Sequence, residues 1–466
     1  MFNKQCVFKA YEPYGILFLI HMKRKSKFNL SVWQLLALAY LGVTILGSIL
    51  LILPFAARDG ENTSYINALF TSVSAVCITG LTPYDTATHW SLFGQITILI
   101  LIQASGLGFM TIVSSAFMIF KKGMSSASKN AFIQDARGNF GGIGKLIKRI
   151  FIGTAVFEIT GALILMIRFI PDFGALKGIY FAVFHSVSAF CNAGFDLMGN
   201  SASLTGYVTD PVVSVTIPVL IILGGLGFVV WGDMLDCKMN FKKFQLNTKV
   251  VLVVTLIMIA AGTGLFLLFE RNNPSYAGFS FGEKLLASFF NAVTPRTAGF
   301  ATTAPETFSE SGYLLCVLLM FVGGGSGSTA GGIKVSTFAV IIMGMLAVFR
   351  GRRDINIGKR RIEYSLLSQA LAIFSSCLII VVVSTVAICA IQPEIAFKAV
   401  LFENVSALSN TGLTMSLTPH LCTASKLIVI FLMYAGRVGI LTLALALGEK
   451  KTAAEIRRPV ESLLIG

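Results

Sequence analysis

A thirteen-residue pattern occurs four times in this chain, and an internal fourfold repeat calls for an architecture built of four equivalent units. The copies are Leu69-Phe-Thr-Ser-Val-Ser-Ala-Val-Cys-Ile-Thr-Gly-Leu81, Val183-Phe-His-Ser-Val-Ser-Ala-Phe-Cys-Asn-Ala-Gly-Phe195, Ser288-Phe-Phe-Asn-Ala-Val-Thr-Pro-Arg-Thr-Ala-Gly-Phe300 and Leu401-Phe-Glu-Asn-Val-Ser-Ala-Leu-Ser-Asn-Thr-Gly-Leu413. Their glycines, Gly80, Gly194, Gly299 and Gly412, are 114, 105 and 113 residues apart.

Apolar runs flank every copy: Ser31–Leu53, Phe93–Phe120, Arg149–Ile170, Val212–Trp231, Lys249–Phe269, Tyr313–Phe349, Ser365–Ile391 and Leu421–Leu447. Each is long enough for roughly 30 Å of hydrocarbon. With 55% hydrophobic and 13% charged residues the chain cannot coat a soluble globule. The net charge of +15 suggests nucleic acid, but the basic residues lie between spans. Residues 1–30, 121–149, 233–249, 349–364 and 448–466 hold 27 of the 37 Lys and Arg and 9 of the 22 acids. The other linkers and pore segments hold 7 basic and 12 acidic residues, and Arg168, Lys334, Arg437 and Glu158 fall within apparent spans. By the positive-inside rule both termini and the inter-repeat linkers are cytoplasmic, and nucleic acid is excluded as a partner.

The segment before each glycine is about a dozen residues, which reaches about halfway across a bilayer, so it must enter and turn back. A full span there would give each repeat three crossings, and the basic linkers would alternate sides. The expected fold is an all-α polytopic membrane protein: four parallel span, pore helix, span repeats around a central pseudo-fourfold pore, with eight transmembrane spans and re-entrant pore loops. The repeats are read as 31–148, 149–248, 249–364 and 365–447, between cytoplasmic tails at 1–30 and 448–466. Met22 opens a Met-Lys-Arg-Lys sequence that reads as a start, making residues 1–21 an upstream extension.

Backbone carbonyls after each half-helix would face the axis and replace a cation's hydration shell. Glycine permits that backbone, and the carboxyl ends of the half-helices favour a cation at the membrane centre. The candidate filter is Ile78, Thr79, Gly80, Leu81; Asn192, Ala193, Gly194, Phe195; Thr297, Ala298, Gly299, Phe300; and Asn410, Thr411, Gly412, Leu413.

The last apolar stretch of the third repeat is interrupted by Gly323, Gly324, Gly325, Ser326, Gly327, Ser328, Thr329, Gly331 and Gly332, followed by Lys334. Each glycine costs about 1 kcal/mol in a helix, so a break is expected here, whereas the fourth repeat reads as regular. Second spans align at Ser105-Gly-Leu-Gly108, Gly224-Gly-Leu-Gly227, Gly324-Gly-Ser-Gly327 and Gly436-Arg-Val-Gly439. Close helix packing explains the first two; Arg437 within a span marks function.

No enzyme motif survives inspection. Gly327-Ser-Thr-Ala-Gly-Gly-Ile-Lys334 misses a P-loop, with Ile333 in the lysine position. Glu158 stands without a second intramembrane catalytic group. The eight cysteines form no C-x-x-C pair, and the four histidines are scattered, so a disulfide framework, a zinc site and an organic cofactor are not expected; His185 reads as a packed or hydrogen-bonded residue. Secondary transporters with inverted repeats differ, because these repeats are parallel.

These residues resemble the superfamily of Trk, Ktr and HKT potassium transporters over Ser31 to Leu447, and with eight spans the chain is most similar to the membrane subunit of bacterial Ktr systems. The resemblance implies sodium-dependent potassium uptake across the bacterial cell membrane, with potassium at the filter carbonyls favoured by glycine in all four positions. It also implies a homodimer in membrane lipid, bound to a cytosolic RCK-type ring of nucleotide-binding regulatory subunits. The stretch 323–332 matches that family's intramembrane gating loop, and Arg437 its arginine beneath the filter. Sodium or another monovalent cation is the alternative cargo.

Overall fold

The computed structural model describes residues 32–60, 63–119, 143–352, 354–358 and 360–447. The expected tails at 1–30 and 448–466, the start at Met22 and most of the linker between the first two repeats lie outside these residues. Helices dominate because in hydrocarbon each backbone polar group needs a partner within its own segment.

The first repeat runs α1 (Val32–Leu51), α2 (Tyr65–Cys77) and α3 (Leu92–Ile119). The second runs α4 (Ile143–Phe173), α5 (Ala175–Phe190), α6 (Pro211–Leu226) and α7 (Phe228–Asp236). The third runs α8 (Leu246–Phe269), α9 (Phe281–Val293), α10 (Glu310–Phe321) and α11 (Val335–Phe349). A two-stranded antiparallel hairpin, β1 (Ile355–Ile357) with β2 (Arg360–Ile362), pairs Ile355 with Ile362. It leads to the fourth repeat: α12 (Tyr364–Ile391), α13 (Phe397–Ser409), α14 (Thr423–Val438) and α15 (Ile440–Leu447).

Helix starts follow local chemistry. The side chain of Ser64 accepts from the Asn67 N–H, Asp210 from those of Val212 and Val213, and Ser280 forms a reciprocal capping box with Glu283. The pore helices α2, α5, α9 and α13 have 13, 16, 13 and 13 residues, too few to cross a bilayer at about 1.5 Å per residue.

Segments of α1, α4, α8 and α12 are each long and apolar enough to cross a membrane in one piece. They are apolar on all sides, and residues such as Leu163, Leu256 and Val383 are exposed, the pattern of a helix facing lipid. The buried core lies inward, along the carboxyl halves of the pore helices: Thr71 to Cys77, Ser188 to Cys191, Phe290 to Val293 and Phe402 to Ser409 are all buried. Gly161 of α4 and Gly262 of α8 pack on Ser186 and Ala292 of their pore helices, where small residues let helices approach.

Two second spans differ from expectation. The run Val212–Trp231 is not one helix: α6 and α7 meet at 86° at Gly227, which has φ 101°. The fourth repeat, expected to be regular, breaks at Gly439, where φ is 89°. The glycines read as packing sites in the second repeat therefore divide by position. Gly224 packs against the Phe190 carbonyl, while Gly227 makes a corner. The interruption expected in the third repeat separates α10 from α11.

Candidate functional site

The four glycine turns meet one another, and their contacts close on themselves. A Cβ on Gly80 would stand 2.6 Å from the carbonyl oxygen of Ala193, one on Gly194 2.7 Å from that of Ala298, and one on Gly299 2.6 Å from that of Thr411. Gly412 faces the Thr79 carbonyl, which returns to the first repeat. Each glycine thus packs on the residue preceding the glycine of the next repeat, and the chain of contacts is a ring.

The turns share a backbone conformation. Gly80, Gly194, Gly299 and Gly412 have φ of 93°, 71°, 82° and 90°; two residues earlier Ile78, Asn192, Thr297 and Asn410 have φ of 58°, 60°, 69° and 54°. Asparagine tolerates this region, but isoleucine and threonine are outliers held by their surroundings.

Hydrogen bonds fix which way the peptide planes face. The Thr79 N–H donates to the Ser74 carbonyl (2.8 Å) and the Gly80 N–H to Ser74 Oγ (3.0 Å). In the fourth repeat Thr411 and Gly412 donate in the same way to Ser406, at 2.8 and 3.0 Å. Ala193 donates to the Ser188 carbonyl (2.7 Å) and Ala298 to that of Thr294 (3.0 Å). In a trans peptide the carbonyl points opposite to its N–H. With the N–H groups turned back onto the pore helices, the carbonyls of residues 78, 192, 297 and 410, and of 79 and 411, point away from them. Further out, Ser188 Oγ donates to the Phe195 carbonyl (2.7 Å) and Thr294 Oγ1 to that of Phe300 (2.5 Å).

The segment between α10 and α11 lies against the inner ends of these turns. Thr329 Oγ1 donates to the Phe190 carbonyl at the end of α5 (3.3 Å), Gly331 packs on Ser409 and Asn410 at the end of α13, and Gly323 packs on Thr297. Its two ends join, with the Gly323 N–H donating to the Ile333 carbonyl (2.9 Å). The Gly325 N–H donates to the Gly225 carbonyl (2.8 Å), and the Phe228 N–H, first in α7, to that of Gly327 (3.0 Å). The corner at Gly227 thus receives the loop, and the loop satisfies an unpaired helix-start donor. Within the loop Ser328 Oγ donates to the Gly325 carbonyl (2.7 Å), Ser326 Oγ meets Ser336 Oγ (2.9 Å), and Lys334 Nζ donates to the carbonyls of Ala330 (2.6 Å) and Gly331 (3.3 Å). Gly324 and Gly332 complete the turn.

Arg437 crosses between repeats. Its Nη1 donates to the Thr329 carbonyl (2.5 Å) and its Nη2 to the Ser105 carbonyl of α3 (3.2 Å). Of the candidate filter residues, the four glycines and Thr79, Ala193, Ala298 and Thr411 make the ring contacts, Ile78, Asn192, Thr297 and Asn410 carry the positive φ that precedes them, and Leu81, Phe195, Phe300 and Leu413 follow in sequence; the candidate gate residues lie in the loop or, for Lys334 and Arg437, donate to its carbonyls. Sequence reasoning missed Arg296, buried at the end of α9 with Nη2 3.2 Å from Thr255 Oγ1 and 3.5 Å from the Gly323 carbonyl. By sequence it is one basic residue among those of the linkers and pore segments, and its place inside the repeated motif is the signal that sets it apart. It also missed Glu403, which accepts hydrogen bonds from Thr414 (2.8 Å) and Thr418, tying α13 to the segment after the turn. His185 is packed, with Nδ1 2.7 Å from the Phe181 carbonyl. Among the described residues the cysteines are free and no cluster suits a metal ion held by side chains.

A ring of four glycine turns, each carried by a short helix between longer apolar ones, defines a membrane protein of the four-repeat pore-loop class. The chain belongs to the TrkH family of cation transport proteins, whose family model matches residues 39–453. It is 41% identical over 453 residues to the potassium/sodium uptake protein NtpJ of Enterococcus hirae, covering 96% of this chain and 99% of that one. It is 39% identical to Ktr system potassium uptake protein B of Bacillus subtilis, covering 93% and 96% of the two chains. The crystal structure of the potassium transporter TrkH from Vibrio parahaemolyticus shares the fold, with a TM-score of 0.70 at 20% identity over 91% of this chain and 87% of that one. The chain is an integral membrane protein of the Trk and Ktr kind.

Proposed function

We propose that this chain carries potassium ions into the cell through the four-glycine ring, and that the loop at 323–332 with Arg437 is its gate. The observation that carries the reading is the cyclic contact of each glycine with the carbonyl of the next repeat. A closed ring of carbonyls can replace a cation's hydration shell from four sides, and it conducts only if the ions bind weakly enough to leave. The names of the relatives, which include potassium uptake proteins and a potassium/sodium uptake protein, favour this cargo. Two cations, Lys334 and Arg437, stand at the loop on the inner side of the ring, where positive charge raises the barrier to a cation.

The positive-inside distribution supports cytoplasmic termini and an outer mouth on the side where the segments after the ring emerge. The name of the Ktr relative, a protein of a potassium uptake system, supports a partner subunit, and we extend this to a homodimer controlled by a cytosolic nucleotide-binding subunit with an uptake that depends on sodium. Growth of a potassium-uptake-deficient bacterium on low potassium, with and without sodium and the regulatory subunit, tests this. Rescue by the chain is expected; membrane-inserted chain that takes up sodium but no potassium refutes it in favour of sodium transport.

A further inference from the structure

Arg296 is a buried guanidinium with little to hold. It is 6% exposed, its contacts run through Nη2 alone, its Nε has no partner, and among the described residues no acid pairs with it. A guanidinium carries five N–H donors, and leaving them unmet beside a buried charge is costly. Its neighbours say what the spare donors could serve. Thr255 of α8 orients it, and the Gly323 carbonyl, where α10 gives way to the loop, lies at the outer limit of hydrogen bonding at 3.5 Å. Arg296 therefore sits at the base of the loop, on the wall of the third repeat, while Arg437 reaches the loop from the fourth.

We infer that Arg296 is a positioning residue that receives the displaced loop. This rests on the gate reading above. A loop that leaves the axis breaks the bond that the Thr329 carbonyl accepts from Arg437, and carbonyls freed in this way must find new donors in a place closed to bulk water. The unused donors of Arg296, adjoining the hinge at Gly323, supply them. The two arginines act in opposition: Arg437 favours the loop across the path, and Arg296 favours the loop withdrawn.

The test is potassium flux in reconstituted vesicles for the wild type, Arg296→Gln, a deletion of residues 323–332, and the two combined. Arg296→Gln should lower maximal flux roughly tenfold, the scale of a hydrogen bond to a charged group, with the potassium-to-sodium ratio unchanged. In the deletion background it should have no effect, because no loop remains to be received; a merely structural role would lower flux in both. Flux at or above the wild-type level in folded Arg296→Gln, or an equal fall in the deletion background, overturns the inference. A deletion that leaves flux at the wild-type level refutes the gate reading itself. Should Arg296→Gln not elute as folded protein, Arg296→Lys decides: it keeps the charge without the planar fork, so a smaller fall is expected and unchanged flux overturns the proposal.

Discussion

Replacing Gly80 by serine tests the ring at a place where the geometry allows a magnitude. The added Cβ would stand 2.6 Å from the Ala193 carbonyl oxygen, about 0.8 Å inside the 3.4 Å at which ordinary contact begins. A backbone φ of 93° adds roughly 1 to 2 kcal/mol of strain for an L residue. The side chain cannot rotate away, because Cβ is fixed by the backbone, and the opposing atom is itself backbone. The Ala193 carbonyl must shift, and the ring opens at one corner. A carbonyl moved by that distance loses much of its interaction with an ion, and about 1.4 kcal/mol of differential binding is a tenfold change in preference. Gly80→Ser should therefore lower the potassium-to-sodium uptake ratio by roughly tenfold or more, measured over an external concentration series for both ions. Gly264→Ser is the control, since a Cβ there meets nothing within 4 Å. A folded Gly80→Ser protein with the same ratio as the control would show that the ring does not set selectivity.

Gly227→Ala acts on the corner that holds the loop: its Cβ would lie 2.7 Å from the Ser326 carbonyl at φ 101°, so the loop should dislodge and maximal flux rise roughly fivefold, readable in vesicles, the equivalent of losing one docking bond of ordinary strength. Unchanged flux would separate the corner from gating. Burial pushes the Asp196 carboxyl, in the segment after the second turn, up to about 6, against the pull of the Met198 N–H. It is charged above that pH and neutral below it, so apparent affinity for external potassium should weaken as external pH falls from about 7 to about 5, and Asp196→Asn should flatten that dependence.

The sequence by itself determined the repeat, the membrane environment and the half-length pore helices. These follow from spacing and from hydrophobic length, which are properties of a one-dimensional string measured against a bilayer of fixed thickness. It also located the break in the third repeat, because six glycines cannot sustain a helix. The tertiary structure decided the rest. Gly224 and Gly227 stand in one motif, yet one packs on the Phe190 carbonyl and the other turns a corner, because only there does a loop from another repeat offer the Gly327 carbonyl to the Phe228 N–H. Gly439 is hidden for the same reason: a glycine permits a bend without compelling one. Nor could the chain alone reveal that Ile78 and Thr297 adopt φ above zero, since local preference opposes it and the packed ring imposes it. Arg296 lay in plain view inside the motif, one of the basic residues of the linkers and pore segments. Its burial beside Gly323 depends on residues 27 positions away folding back beneath the turn, a contact that no local pattern encodes.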